Sequence, residues 1–161
     1  MKRQYKSGFT LVEIVLVFVL VGILISITTP LVVETVQRAD LTSAHESLYN
    51  ALTRAQKLSQ SQTNGQVWGV CLDNTNHRYI IVAGTGTCSS NDRNTIYDEI
   101  ITIAPTISIV GNGGNNIDFS PVSGYSDPNG ITLTNGRFSK LINVDGQLID
   151  KDPISLVTAE S

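Results

Sequence analysis

The sequence is poor in the residues that most often do chemistry. Its 161 residues hold two histidines, two cysteines and one tryptophan, and only 16% are charged. His45 and His77 lack the HExxH pattern and any paired metal-ligand spacing. They read as solvated residues, His45 on the polar side of a helix and His77 in a turn. Gly84-Thr85-Gly86 lacks the Gly-Lys-Ser/Thr ending of a phosphate loop and reads as a loop between strands. Asp73–Asn76 and Asp127-Pro128-Asn129-Gly130 carry oxygen ligands, but neither fits an EF-hand loop and both read as turns. No metal, no cofactor and no catalytic set is expected. A basic face is missing too: eleven Lys and Arg stand against fourteen Asp and Glu. That disfavours nucleic-acid binding by phosphate neutralisation, and Arg137 with Lys140 is only a thin basic cluster. Trp68 and Tyr79 beside Arg78 could stack on bases, but Val67, Val70, Ile80 and Ile81 share their strands and favour a core role.

What the chain does have is an uncharged apolar run over residues 14–33. About 20 residues, roughly 30 Å as a helix, suffice to cross a bilayer core. Lys2, Arg3 and Lys6 precede it with no acidic residue among them, which keeps the N-terminus cytoplasmic by the positive-inside rule. Glu13 is the odd residue, because a lone carboxylate at the head of a membrane-spanning helix is unfavourable without a partner. A secretory signal peptide has a shorter apolar core and a small-residue cleavage site after it. Here the run is longer, it follows Glu13, and Ser26-Ile27-Thr28 is a poor cleavage site.

The string Lys6-Ser7-Gly8-Phe9-Thr10-Leu11-Val12-Glu13, with its basic leader and apolar continuation, resembles the type IV prepilin N-terminus. The resemblance implies a leader of residues 1–8, a membrane and filament-core helix over 9–33 and a periplasmic domain over 34–161. It implies that a prepilin peptidase of the membrane cuts between Gly8 and Phe9 and methylates the new amine of Phe9. Glu13, fifth in the processed chain, would then pair with such an amine. Gly22 and Pro30 fall where pilins often carry a helix-loosening glycine and proline. The partners so implied are other pilin or pseudopilin subunits, an inner-membrane assembly platform and membrane lipid; nucleic acid is not expected. Loss of the three leader cations moves the formal charge from −3 to −6.

Beyond residue 33 the helical pattern continues. Leu41, Ala44, Leu48, Ala51, Leu52, Ala55 and Leu58 recur every three or four residues, opposite Arg38, Asp40, Glu46, Arg54 and Lys57. Asn64-Gly65 is a good stop, so one helix is expected over about 10–62. The remainder reads as strands over 66–72, 78–83, 99–103, 106–110 and 116–120, then a loop over 121–130. Asn135-Gly136 and Asp145-Gly146 predict two hairpins with type I′ turns, over 131–144 and 137–149. The tail after Asp152-Pro153 reads as loose.

Cys71 and Cys88 could form a disulfide in an oxidising compartment, closing a loop of about 18 residues and adding roughly 3 kcal/mol. A metal pair and a thiol nucleophile are the alternatives, though neither has supporting residues at telling spacing. The expected fold is α+β and pilin-like: a long N-terminal helix whose second half packs on an antiparallel sheet. Ala51-Leu52-Thr53-Arg54-Ala55-Gln56, the strand with Cys71 and Ile117-Asp118-Phe119-Ser120-Pro121 resemble the GspH/FimT group of minor pilins and pseudopilins. That resemblance implies a structural subunit, minor rather than major, of a type IV pilus or type II secretion pseudopilus. A DNA-uptake pilin on the same scaffold is the alternative, and a membrane-anchored enzyme is disfavoured.

Overall fold

The computed structural model describes residues 9–84, 88, 95–151 and 155–156, with the backbone alone for 26–32 and 155–156. The leader and Gly8, the Thr85-Gly86 part of the glycine loop, the side chain of Pro30 and Asp152-Pro153 lie outside the described residues. The chain divides into two compact units, Met1–Gln37 and Arg38–Ser161.

The first unit is the beginning of helix α1 (Leu11–Gln60). Thr10 starts it: its hydroxyl accepts the N–H of Glu13 at 3.3 Å, and its carbonyl accepts the N–H groups of Glu13 and Ile14. This is half of a capping box, since Thr10 and Glu13 have the Thr-x-x-Glu spacing. The backbone stays helical through Gly22 and Pro30. Every described residue of this unit up to Ile25 is exposed, including Phe9, Val12 and Phe18. A helix apolar on all sides needs lipid or other helices around it. Among the described residues no helix is long and apolar enough to cross a membrane; the expected span of 14–33 includes residues 26–32, whose side chains are not described.

In the second unit α1 buries Leu41, Ala44, Leu48, Ala51, Leu52 and Ala55, the stripe set by the three-four spacing. Each large side chain so buried contributes about 1.5–3 kcal/mol of transfer free energy. The helix stops at Gln60, where Gln62, Asn64 and Gly65 all take left-handed conformations. Strands β1 (Trp68–Asp73), β2 (Arg78–Ala83), β3 (Glu99–Thr102) and β5 (Asn116–Phe119) form one antiparallel sheet in the order β3-β2-β1-β5. Strands β4 (Ser108–Gly111), β6 (Ser126–Thr134), β7 (Phe138–Gly146) and β8 (Leu148–Lys151) form a second in the order β4-β6-β7-β8, with β9 (Ser155–Leu156) also on β7. Alternation decides the faces. Trp68, Val70 and Leu72, Tyr79 and Ile81, and Ile131, Leu133, Phe138 and Ile142 join the helix stripe in one core. Cys71, Ile80 and Val82 form a small buried cluster on the other face of the first sheet.

The structure corrects several sequence expectations. There are two sheets where one was expected, joined at the turn after β1, where Asn74 Oδ1 accepts the N–H of Ile109 at 2.9 Å and the hydroxyl of Ser108 at 3.1 Å. The expected 121–130 loop ends early, because residues 126–130 belong to β6. Pro128 is tolerated there because the register shifts between Ser126 and Asn129, so no ladder bond requires its missing N–H. Both hairpin turns lie one residue further on than expected, with Gly136 (φ 82) and Gly146 (φ 65) as first central residues. Only that position has positive φ, which is the type II′ and not the type I′ pattern. At the first turn Asn135 Oδ1 accepts the N–H groups of Arg137 and Phe138, which keeps Asn135 out of the centre. The tail is not wholly loose: Leu156 and Ser155 pair with Phe138 and Ser139, on a part of β7 that β8 leaves open.

His45 is the largest correction. It is buried, at 1% exposure, and not solvated. One residue after Ala44 and three before Leu48, it borders the apolar stripe, and the second sheet covers that border. His77 is half-buried in a left-handed turn position, its Nδ1 3.2 Å from the carbonyl oxygen of Ile107.

Candidate functional site

The N-terminal turn of α1 is the candidate site. Phe9, Glu13 and Val17 succeed one another at intervals of four, as do Ile14 and Phe18, so all five share one side of the helix. They line an open concavity of 280 Å³ whose walls are apolar and whose one ionisable group is the Glu13 carboxylate. Such a groove can take an apolar side chain together with an amine, which the carboxylate would receive by a charge-assisted bond. A Cβ added at Gly22 would meet nothing within 4 Å, so in the single chain this glycine is not required for packing. Its effect is on helix propensity, where it costs about 1 kcal/mol relative to alanine.

Cys71 and Cys88 form a disulfide, which anchors residue 88 to the buried outer cluster of the first sheet. Asp73 is fully engaged within its turn. Its oxygens accept from the backbone and side chain of Asn76 and from Arg78 Nε at 2.8 Å. The Asn76 hydrogen bond, then Arg78, hold the Asp73 carboxyl below the usual carboxylate range. Among the described residues no group of three or more His, Cys, Asp and Glu side chains could hold a metal ion.

The comparisons with known proteins bear on both units. The prokaryotic N-terminal methylation motif, as a family, matches residues 3–29. The minor pseudopilin EpsH from the type 2 secretion system of Vibrio cholerae has a similar structure. The likeness has a TM-score of 0.51 at 13% identity and covers 76% of this chain and 99% of that one. No curated protein sequence matches. The chain has the pilin and pseudopilin fold behind a prepilin-type N-terminus.

The motif match includes Gly8, Phe9, Glu13 and Gly22 and ends one residue before Pro30. In the pilin-like domain, the residues that could have met nucleic acid are largely occupied. Trp68 and Tyr79 are buried; the Trp68 indole donates to the carbonyl of Thr63, and the Tyr79 hydroxyl bonds Ser47 Oγ at 2.6 Å. Burial pushes the Tyr79 phenol up. Arg78 is held by Asp73, and Lys140 points into the domain at 8% exposure, so it forms no surface patch with Arg137.

Sequence reasoning missed three structural positions, one at the start of α1 and two in the pilin-like domain. Thr10 had a legible signal in its Thr-x-x-Glu spacing to Glu13. Asn74 and Ser59 had none: Ser59 is buried and its hydroxyl donates to the carbonyl of Phe119, a partner sixty residues away.

Proposed function

We propose that the chain is a minor structural subunit of a type IV pilus or a type II secretion pseudopilus. The observation that carries this reading is the methylation motif placed at the head of α1, the same helix whose later half forms the spine of the pilin-like domain. The proposed course begins with a membrane precursor whose N-terminus is cytoplasmic and whose domain lies on the far side of the inner membrane. A prepilin peptidase cuts after Gly8 and methylates Phe9. The exposed apolar residues between Phe9 and Ile25 then exchange lipid for the helices of neighbouring subunits, which buries them in a filament core. Glu13 receives the Phe9 amine of a neighbouring or the same subunit and sets the axial register. Before cleavage that amine does not exist, so processing gates assembly.

Mass spectrometry of the mature N-terminus tests the reading. The expected species begins at a methylated Phe9, and Gly8→Val leaves uncut precursor in the membrane. A mature chain beginning beyond Pro30 would instead mark an ordinary secretory signal and end the proposal.

A further inference from the structure

His45 lies far along the chain from the N-terminal turn, and no assembly step accounts for its burial. We propose that His45 is a proton-sensitive latch: neutral, it fastens strand β7 to α1, and protonated, it releases that strand.

The latch rests on one contact between α1 and β7. His45 Nε2, on α1, lies 3.2 Å from the carbonyl oxygen of Leu141, on β7. A carbonyl only accepts, so Nε2 carries the hydrogen and Nδ1 is a bare lone pair. Nδ1 is buried and has no hydrogen-bond partner. Protonation would place an N–H and a positive charge there with nothing to receive them, which is costly away from water.

Of the surrounding charges, Lys140 and Lys151 add to that cost and Glu46 opposes it. β7 brings Lys140, itself buried, and β8 brings Lys151. α1 brings Glu46, but both Glu46 oxygens already accept from Lys151 Nζ, at 2.9 and 2.8 Å. Tyr49, also on α1, has its ring 4.8 Å from the same ammonium, and β6 places only Leu133 opposite Lys140. Burial above all holds the His45 pKa below its ordinary 6.5; the Leu141 hydrogen bond opposes the shift and Lys140 adds to it. The folded state therefore binds the proton more weakly than the unfolded one. Stability from this group is intact above pH 6.5 and is lost as pH falls from there through the folded pKa.

The test is an NMR titration of the imidazole signals of the whole chain in detergent micelles, with amide exchange of β7 followed in parallel. The expected result is a His45 pKa under 6.5. Protection of the Leu141 and Ile142 amides should fall by about tenfold for each unit of that depression as the pH is lowered. His45→Gln keeps an N–H donor for Leu141 without titrating, and its β7 protection should stay flat with pH. A His45 pKa at or above 6.5, or an equal loss of protection in His45→Gln, would overturn the latch.

Discussion

Gly69→Ala puts the packing of the first sheet to a quantitative test. A Cβ at this position would lie 2.5 Å from the carbonyl oxygen of Ile117 and 2.6 Å from Asp118 Oδ1. Ordinary carbon contacts begin near 3.5 Å, so one side must recede by about 1 Å. The Asp118 side chain can turn away, but the Ile117 oxygen belongs to the backbone of β5. Strand β5 must therefore withdraw from β1, where Gly69 faces Asp118 and Val70 faces Ile117. A ladder bond stretched by about 1 Å is no longer a hydrogen bond. Overpacking costs about 1–3 kcal/mol and each lost bond about 1 kcal/mol, which puts the whole effect near 3 kcal/mol. The corresponding fall in Tm is about 10 °C for a chain of this size. Trp68, the one tryptophan, adjoins the mutated residue, so its fluorescence during urea and thermal unfolding reads the local and the global event together. Gly22→Ala is the control: its added Cβ meets nothing within 4 Å, and α1 should gain about 1 kcal/mol of local helix propensity. A Gly69→Ala protein within about 0.5 kcal/mol of wild type, the range of neutral surface changes, would refute the reasoning.

Three further outcomes are expected. Glu13→Val should leave cleavage and the folded domain intact yet enter filaments poorly in a strain lacking the native copy, whereas wild-type incorporation would show that Glu13 only supports the first helical turn begun by Thr10. Replacing Cys71 and Cys88 by serine opens a loop with a sequence separation of 17 and should cost roughly 3 kcal/mol in the chain-entropy model, measured by urea unfolding with the disulfide-bonded wild type as the reference. Asp118, whose carboxyl burial holds above its ordinary 3.8, makes the folded state bind its proton more tightly than the unfolded one. Stability from it is full below 3.8 and is lost as pH rises through the folded pKa; Asp118→Asn should therefore raise Tm at neutral pH and lose that advantage in acid, and a pH-independent difference would contradict the assignment.

Local pattern carried much of the fold. The spacing of Leu41, Ala44, Leu48 and Leu52 makes a helical stripe in any context, because 3.6 residues per turn leaves those side chains no other common face. The strand 78–83 was legible to the residue, being apolar on both faces and bounded by a turn. The methylation motif at residues 3–29 was legible for the same reason: a contiguous string carries it, and it needs no distant residue to define it.

Other features depended on distant partners. Nothing near His45 announces that β7 will cover it, since the Leu141 carbonyl that meets its Nε2 is ninety-six positions away. Lys140 reads as a surface cation until alternation along β7 turns it inward beside Phe138 and Ile142. Pro128 reads as a loop breaker until the register shift in β6 removes the need for its N–H. The division into two sheets, with Asn74 holding β4 at their junction, likewise arises from strand pairing. Helix faces and processing motifs follow from covalent order, whereas burial of a polar group follows from whichever distant strand the packed core places against it.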